Sequence, residues 1–474
     1  MKYEPIIGLE VHVQLNTNTK IFCGCSTAFG AVPNSQTCPV CLGLPGALPV
    51  LNGMALKKAV MAGLALNCKV ARRSAFDRKN YFYPDLPRSY QVTQYAQPLC
   101  AGGHLDVDSG GASRRIGIAR VHLEEDAGKL LHSDASDWPV SLVDYNRAGV
   151  PLVEIVSEPD IRTPGEADSF IRRLKSIMKY LDVSECAMEE GSLRCDVNVS
   201  LKAEGAQGDK VEIKNLNSFH AVKSALEYEI ARQSRLLGEG RTIARETRLW
   251  DSRRGETVPM RSKEEDRDYR YFREPDLPPV ILDDAYIEER SRELPELPAE
   301  KRARFMEEYT LPAPDAGVLT SVKELAGYYE ETVSRGAGAR RAANWIQSEL
   351  LARIDDPEKI GAFAVTPAML AELISLIENG SISGKTAKSV FAEMASTGQS
   401  AGSIVREKCL CQLADEGEIG KIVDAVISAN PGPVEGYRAG KKKALEFLVG
   451  RIMEETKGKA SPRIVHNLLV KKLQ

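Results

Sequence analysis

Short runs in which apolar and polar residues alternate recur through the first 293 residues, separated by Gly, Pro, Asn and Asp turns. They lie at 6–15, 115–123, 151–156, 193–201 and 210–214, and a period of two predicts strands. Helical spacing intervenes at 53–66, 165–181 and 218–237. The last begins with Ser218 as an N-cap and carries Val222, Leu226 and Ile230 on one face. Strands and helices in this irregular order predict one large α+β domain rather than a regular βαβ array. Pro275, Pro278, Pro279, Pro295, Pro298, Pro312 and Pro314 then punctuate the chain. Beyond them the spacing predicts helices at 299–309, 321–334, 340–354, 366–378 and 385–396, then a small helical tail. The expected division is 1–293, 294–404 and 405–474, about three domains at roughly 100–200 residues each.

Composition is that of an ordinary soluble protein: 474 residues, 27% charged, 37 Gly and 25 Pro, which excludes collagen-like and wholly disordered chains. The net charge of −3 advertises no global affinity for nucleic acid. The tail departs from this balance. Residues 431–474 hold ten Lys/Arg against four Asp/Glu, including Lys441, Lys442, Lys443, Arg451, Lys457 and Lys459. A solvated helix surface and a phosphate-binding patch both fit that cluster. No apolar run reaches the about 18 residues of a membrane helix; Lys57 and Lys58 break the best stretch. Met1-Lys2-Tyr3-Glu4-Pro5 lacks the layout of an export signal, so the expectation is a cytoplasmic chain whose cysteines are reduced thiols or metal ligands.

The first strand sets Glu10, His12 and Gln14 on one face and Leu9, Val11 and Val13 on the other. Arg120, His122, Glu124 and Asp126 likewise share a face, and Glu154 sits inside an otherwise apolar run. A solvent-facing strand edge gives the same alternation. A carboxylate within an apolar strand, however, is costly to bury unless it is paired or binds a cation. Three such strands could form an oxygen-rich cage suited to Mg²⁺ or Mn²⁺. A dense polar stretch at 77–87 reads as a loop, Arg194, Asp196 and Asn198 share a strand face, and Lys214 precedes a helix start. Phosphate-loop, dinucleotide and protein-kinase motifs are absent, as are nucleophile-elbow and Ser-Lys amidase runs. Cys23-x-Cys25, twelve residues, then Cys38-x-x-Cys41 has the spacing of a closed, structural thiolate zinc site, against the alternative of four free thiols.

At Ile7-Gly8-Leu9-Glu10-Val11-His12-Val13-Gln14-Leu15, and again at 76–85, 122–128, 151–160, 191–198 and 439–445, the chain resembles the B subunits of the tRNA-dependent amidotransferase GatCAB. The resemblance runs end to end and implies a large mixed-sheet, cradle-like catalytic domain, then a helical domain and a small α-helical YqeY-like tail. It implies that ATP phosphorylates the side-chain carboxylate of misacylated Glu-tRNA(Gln) or Asp-tRNA(Asn). Ammonia from an amidase A subunit then displaces phosphate, in a heterotrimer with a small C subunit. On this resemblance Glu10, His12, Glu124 and Glu154 hold Mg²⁺, and Cys23, Cys25, Cys38 and Cys41 hold Zn²⁺. Lys79, Arg194, Asp196, Asn198 and Lys214 contact ATP or the acceptor, and the basic tail grips tRNA. The competing expectation is a non-catalytic tRNA-binding scaffold whose acidic cluster is internal salt bridging.

Overall fold

The computed structural model describes residues 3–109, 111–133, 140–203, 206–260, 269–410, 416–439, 441–456, 460 and 462–473. It divides into two compact units, Met1–Leu297 and Pro298–Gln474.

The first unit is organised by a ten-stranded mixed sheet. Its spatial order is Glu256–Pro259, Glu246–Asp251, Val211–Leu216, Leu193–Ala203, Glu4–Gln14, Pro151–Ser157, Ala112–Glu125, Cys100–Ser109 and Lys69–Val70, with Ala206–Gln207 paired to Leu193–Ala203. Val211–Leu216 and Glu246–Asp251 run parallel, and the other pairings in this sheet are antiparallel. The first strand therefore ends up in the middle, flanked by strands that follow it by more than 140 residues. One face of the sheet is apolar. Leu9, Val11, Val13, Val121, Leu123, Val153, Ile155, Cys195 and Val197 are all buried there, in a core shared with the helices Gly53–Ala65, Pro164–Tyr180 and Phe219–Gly238. Each helix begins at a side-chain cap: Asn52, Thr163 and Ser218 accept backbone N–H groups of the first turn.

A four-stranded sheet carries the remaining wall of the site. In it Arg73–Asn80 pairs with Tyr90–Gln97 and with the short strands Phe272–Arg273 and Val280–Ile281. The loop expected at 77–87 is thus strand up to Asn80. The charges and amides of Asp77-Arg78-Lys79-Asn80 carry little strand preference of their own, and pairing on both sides overrides it. This sheet is fastened to the large one by Gln94, whose Oε1 accepts from Leu123 N (2.9 Å), and by Gln91, which donates to the Glu125 carbonyl (2.8 Å).

The second unit is helical and contains two separate apolar clusters. One runs from Phe305 to Val405 and the other from Ile419 to Leu473. The helix expected at 340–354 forms as Ala339–Trp345, then loosens into a π turn at Ile346–Leu350 and tightens to 3₁₀ at Leu351–Arg353. Among the described residues no helix is long and apolar enough to cross a membrane.

Candidate active site

Strand register builds the site. Arg194 lies opposite His12, His12 opposite Glu154, and Glu154 opposite His122. Four polar side chains thus form one row across four neighbouring strands, on the face away from the core. Two residues along, Asp196 lies opposite Glu10, and Arg120 opposite Val156. Two residues the other way, Leu152 lies between Gln14 and Glu124. The rows floor a cavity of about 590 Å³ lined by Glu10, His12, Lys79, Arg120, His122, Glu124, Asp126, Glu154, Arg194, Asp196 and Lys214. That size is ordinary for a small-molecule site.

His12 is the centre. Its Nε2 is 3.4 Å from Glu124 Oε1 and 3.5 Å from Glu154 Oε2, and His122 Nε2 is 3.3 Å from the same Glu154 oxygen. One ligand atom from each of His12, Glu124 and Glu154 lies within 4.8 Å of the other two. Burial opposes charge on His12, but the hydrogen bond to Glu154 and the charges of Glu124 and Glu154 prevail and lift its pKa to about 9. Burial and the neighbouring Glu154 push the Glu124 carboxyl up. Burial acts the same way on Glu154, yet His122 and His12 hold it well below the usual carboxylate range. Two nearly buried carboxylates beside two imidazoles make a neutral-nitrogen, anionic-oxygen donor set once a divalent cation displaces the proton.

Glu10 lines the same cavity but stands outside that trio, with Oε1 accepting from Asn198 Nδ2 (2.9 Å). Cations ring the carboxylates. Arg194 is fixed by Asp126 (2.9 Å), which also accepts from Gln14 (2.7 Å) and pairs with Arg147 (3.6 Å). Lys214 is held by Asp196 (2.8 Å) and Glu212 (3.0 Å); burial opposes its charge, and these two carboxylates override it and raise its pKa. The strand bulges here: Cys195 pairs with Leu216 but Val197 with Ile213, and Asn215 takes a left-handed φ of 67°. Asn215 Nδ2 donates to the Trp250 carbonyl (3.0 Å). Three buried nitrogens of this site, Arg120 Nε, His122 Nδ1 and Arg194 Nε, have no hydrogen-bond partner among the described residues. Orphaned buried polar atoms around a polar cavity are what a bound polar group would satisfy.

The family model for the GatB/GatE catalytic domain matches residues 5–288, and that for the GatB domain matches residues 327–473. The chain belongs to the GatB family. It is 55% identical over 476 residues to the B subunit of the aspartyl/glutamyl-tRNA(Asn/Gln) amidotransferase of Carboxydothermus hydrogenoformans, covering 100% of this chain and 99% of that protein. It is 53% identical over 478 residues to the protein of the same name from Geobacter sp., covering 100% of both. The cavity lies within the part of the chain matched as the GatB/GatE catalytic domain.

In this GatB-family chain the neighbour of Glu124 faces elsewhere. Glu125 is buried behind the cavity, paired with Arg88 and accepting from Val92 N (2.8 Å). Several lining residues carry no signal in the sequence: Gln91, Thr93, Gln94, Tyr95, Tyr269 and Tyr271. Of these, Gln91-x-Thr93-x-Tyr95 and Tyr269-x-Tyr271 have a period of two that could have marked them.

Cys23, Cys25, Cys38 and Cys41 converge with their sulfurs within 4.8 Å of one another. Tetrahedral zinc–thiolate geometry needs about 3.8 Å between sulfurs, from Zn–S bonds of about 2.3 Å, so the donor set fits zinc. The hydrogen bond from Cys23 lowers the Cys41 thiol to about 4 against the effect of burial, and Lys20 contributes. The same bond pushes Cys23 up. Lys20 itself is wholly buried, its ammonium 3.7 Å from Cys41 Sγ and donating to the Tyr145 carbonyl (3.1 Å). The spacing of the cysteines gave no hint of this cation.

In the GatB domain, Lys441 and Lys443 are exposed at the start of helix Lys442–Glu455, with the Lys442 backbone in its first turn. Arg451 is exposed and pairs with Glu454 (2.7 Å). Lys457 and Lys459 lie outside the described residues.

Proposed function

We propose that this chain is the catalytic B subunit of a glutamine-dependent aspartyl/glutamyl-tRNA(Asn/Gln) amidotransferase. In this reading ATP phosphorylates the side-chain carboxylate of the misacylated amino acid, and ammonia from a partner amidase subunit then attacks. The observation that carries it is the convergence of His12, Glu124 and Glu154 in one cation-ringed cavity. A carboxylate resists ammonia because oxide is a poor leaving group; an acyl phosphate loses phosphate instead. The reaction asks a protein for positioning and charge rather than for a nucleophile. A divalent ion, Mg²⁺ or Mn²⁺, held by His12, Glu124 and Glu154 with Glu10 beside them, would spread the phosphate charge when bound. Arg194, Lys214, Lys79 and Arg120 orient the triphosphate and the acceptor carboxylate. Asp126, Asp196 and Glu212 fix two of those cations in place before substrate arrives. Asn198 steers Glu10. Cys23, Cys25, Cys38 and Cys41 hold a structural zinc that stiffens the loop after the first strand. The division at about residue 405 leaves a basic tail in which Lys441, Lys442, Lys443 and Arg451 meet tRNA phosphates. Clustered cations at a helix N-terminus oppose the helix dipole, which favours an anionic partner there. The expected setting is the cytoplasm, with A and C subunits in a heterotrimer.

The test is to assemble the chain with its A and C partners and supply ATP, glutamine and misacylated tRNA. ADP, phosphate and the amidated aminoacyl-tRNA are expected; AMP and pyrophosphate would mean adenylation instead. A Glu154→Gln assembly should bind tRNA and make no amide. Normal turnover by that variant would leave a binding scaffold as the better description.

A further inference from the structure

The cavity has an aromatic lining as well as a charged one: Tyr81, Tyr95, Tyr269 and Tyr271. Tyr95 and Tyr271 stack at 4.0 Å with their planes 5° apart. Tyr269 meets Tyr81 and Tyr271 edge-on, at 5.9 and 5.8 Å. Lys79 Nζ lies 4.9 Å from the Tyr269 ring centre and 5.7 Å from that of Tyr81, within cation–π range. These rings are not packed into the apolar core of the unit, which is the other face of the large sheet. Tyr95 is 54% exposed.

The arrangement is held from behind by one strand. Asp77 is buried, and its Oδ2 accepts from both Tyr95 N (3.0 Å) and Ala96 N (2.9 Å) across a register shift. Arg78 forks onto the buried Glu274 carboxylate at 2.7 and 2.8 Å, and so ties down the segment that carries Tyr269 and Tyr271. Asn80 donates to the Tyr269 and Arg270 carbonyls at 3.2 and 2.9 Å. Three ring-bearing positions are therefore set before any ligand enters. Pre-set aromatic faces beside cations and a phosphate-handling floor suit a flat heterocycle joined to a phosphate chain.

We propose that Tyr81, Tyr95, Tyr269 and Tyr271 form a stacking subsite for an adenine ring, carried either by ATP or by the 3′-terminal adenosine that bears the amino acid. This inference rests on the phosphoryl-transfer reading above. It is tested on the assembled three-subunit enzyme with Tyr271→Leu and Tyr95→Leu, each beside its phenylalanine counterpart, measuring KM for ATP, KM for misacylated tRNA and kcat separately. The leucine variants should raise one of the two KM values about ten-fold or more, by more than kcat falls. Phenylalanine should keep most of the affinity that leucine loses. A rise in KM for ATP identifies the nucleotide as the source of the ring, and a rise in KM for tRNA identifies the terminal adenosine. Tyr95 is half exposed, so its leucine variant guards against a folding defect at Tyr271. The proposal is overturned if both KM values stay within about two-fold in both leucine variants, if kcat alone falls, or if phenylalanine is as damaging as leucine. Failure of the underlying reading looks different: the wild-type enzyme would release AMP, whatever the tyrosines do.

Discussion

Two buried ionic clusters in the same unit invite comparison. Around Glu229, which is wholly buried, Arg232 forks onto the carboxylate at 2.9 and 2.7 Å, and Gln233 (2.8 Å) and the Thr257 hydroxyl (2.8 Å) complete it. Arg248 donates to the Thr257 hydroxyl (2.8 Å) and carbonyl (2.6 Å) and to Glu246 (2.9 Å). Every guanidinium there meets a carboxylate, and among the described residues Gln233 Oε1 is the one buried side-chain atom of the cluster left without a partner. Around His12 the pattern is reversed. Two carboxylates share two imidazoles, and three nearby nitrogens lack partners among the described residues. Opposite charges that satisfy one another lock a helix to a sheet. Like charges held together with donors to spare keep a place for something else.

The strongest way to break the contrast is Glu154→Gln, which keeps shape and removes charge. Turnover of the assembled enzyme should fall by about 10³-fold or more, with a melting temperature close to that of the parent; equal losses in both would put the two clusters in one class. Glu229→Ala should do the opposite. Leaving Arg232 and Arg248 to share Glu246 alone is expected to cost about 3–5 kcal/mol of stability, read as a shift in denaturant midpoint, while kcat per folded molecule stays near the parent value. The thiol cluster sharpens the comparison from a third side. On the proposed zinc site, chelator treatment or Cys38→Ser should lower the melting temperature by about 5–10 °C and expose the 23–50 loop to protease, with kcat at 25 °C little changed. The smallest effect belongs to charges that are neither buried nor closed. Lys441→Glu with Lys443→Glu should weaken tRNA binding about ten-fold and reduce the slope of log K against log salt by about two; an unchanged slope would separate the tail from RNA.

Much of this was legible in the sequence because the site is made by periodicity. Alternation within 7–14 placed Glu10 and His12 on one face of their strand, alternation within 120–126 did the same for His122 and Glu124, and Glu154 stood out as a carboxylate in an otherwise apolar run. What alternation cannot carry is order across the sheet. Glu4–Gln14 sits between strands that begin at Pro151 and Leu193, and only non-local pairing brings His12 to Glu154 and Arg194. The same limit explains Asp77–Asn80, whose residues favour turns and become strand through partners far along the chain. It also explains the tyrosines, since Tyr95 and Tyr271 are ordinary surface residues until they stack. Lys20 was invisible for a different reason. A lysine reads as solvent-facing unless something anionic is known to lie beside it.

The central strand presents His12 to one side and Val11 and Val13 to the other, so the polar lining of the cavity and the packed interior share a single reading frame. Deleting one residue between Ile7 and Glu10 would swap the two sets, drawing valines into the polar cavity and driving an imidazole into the hydrocarbon. Solvation and chemistry are inherited together at this strand. A lineage can lose both there in one event, and cannot tune the alternation for either alone.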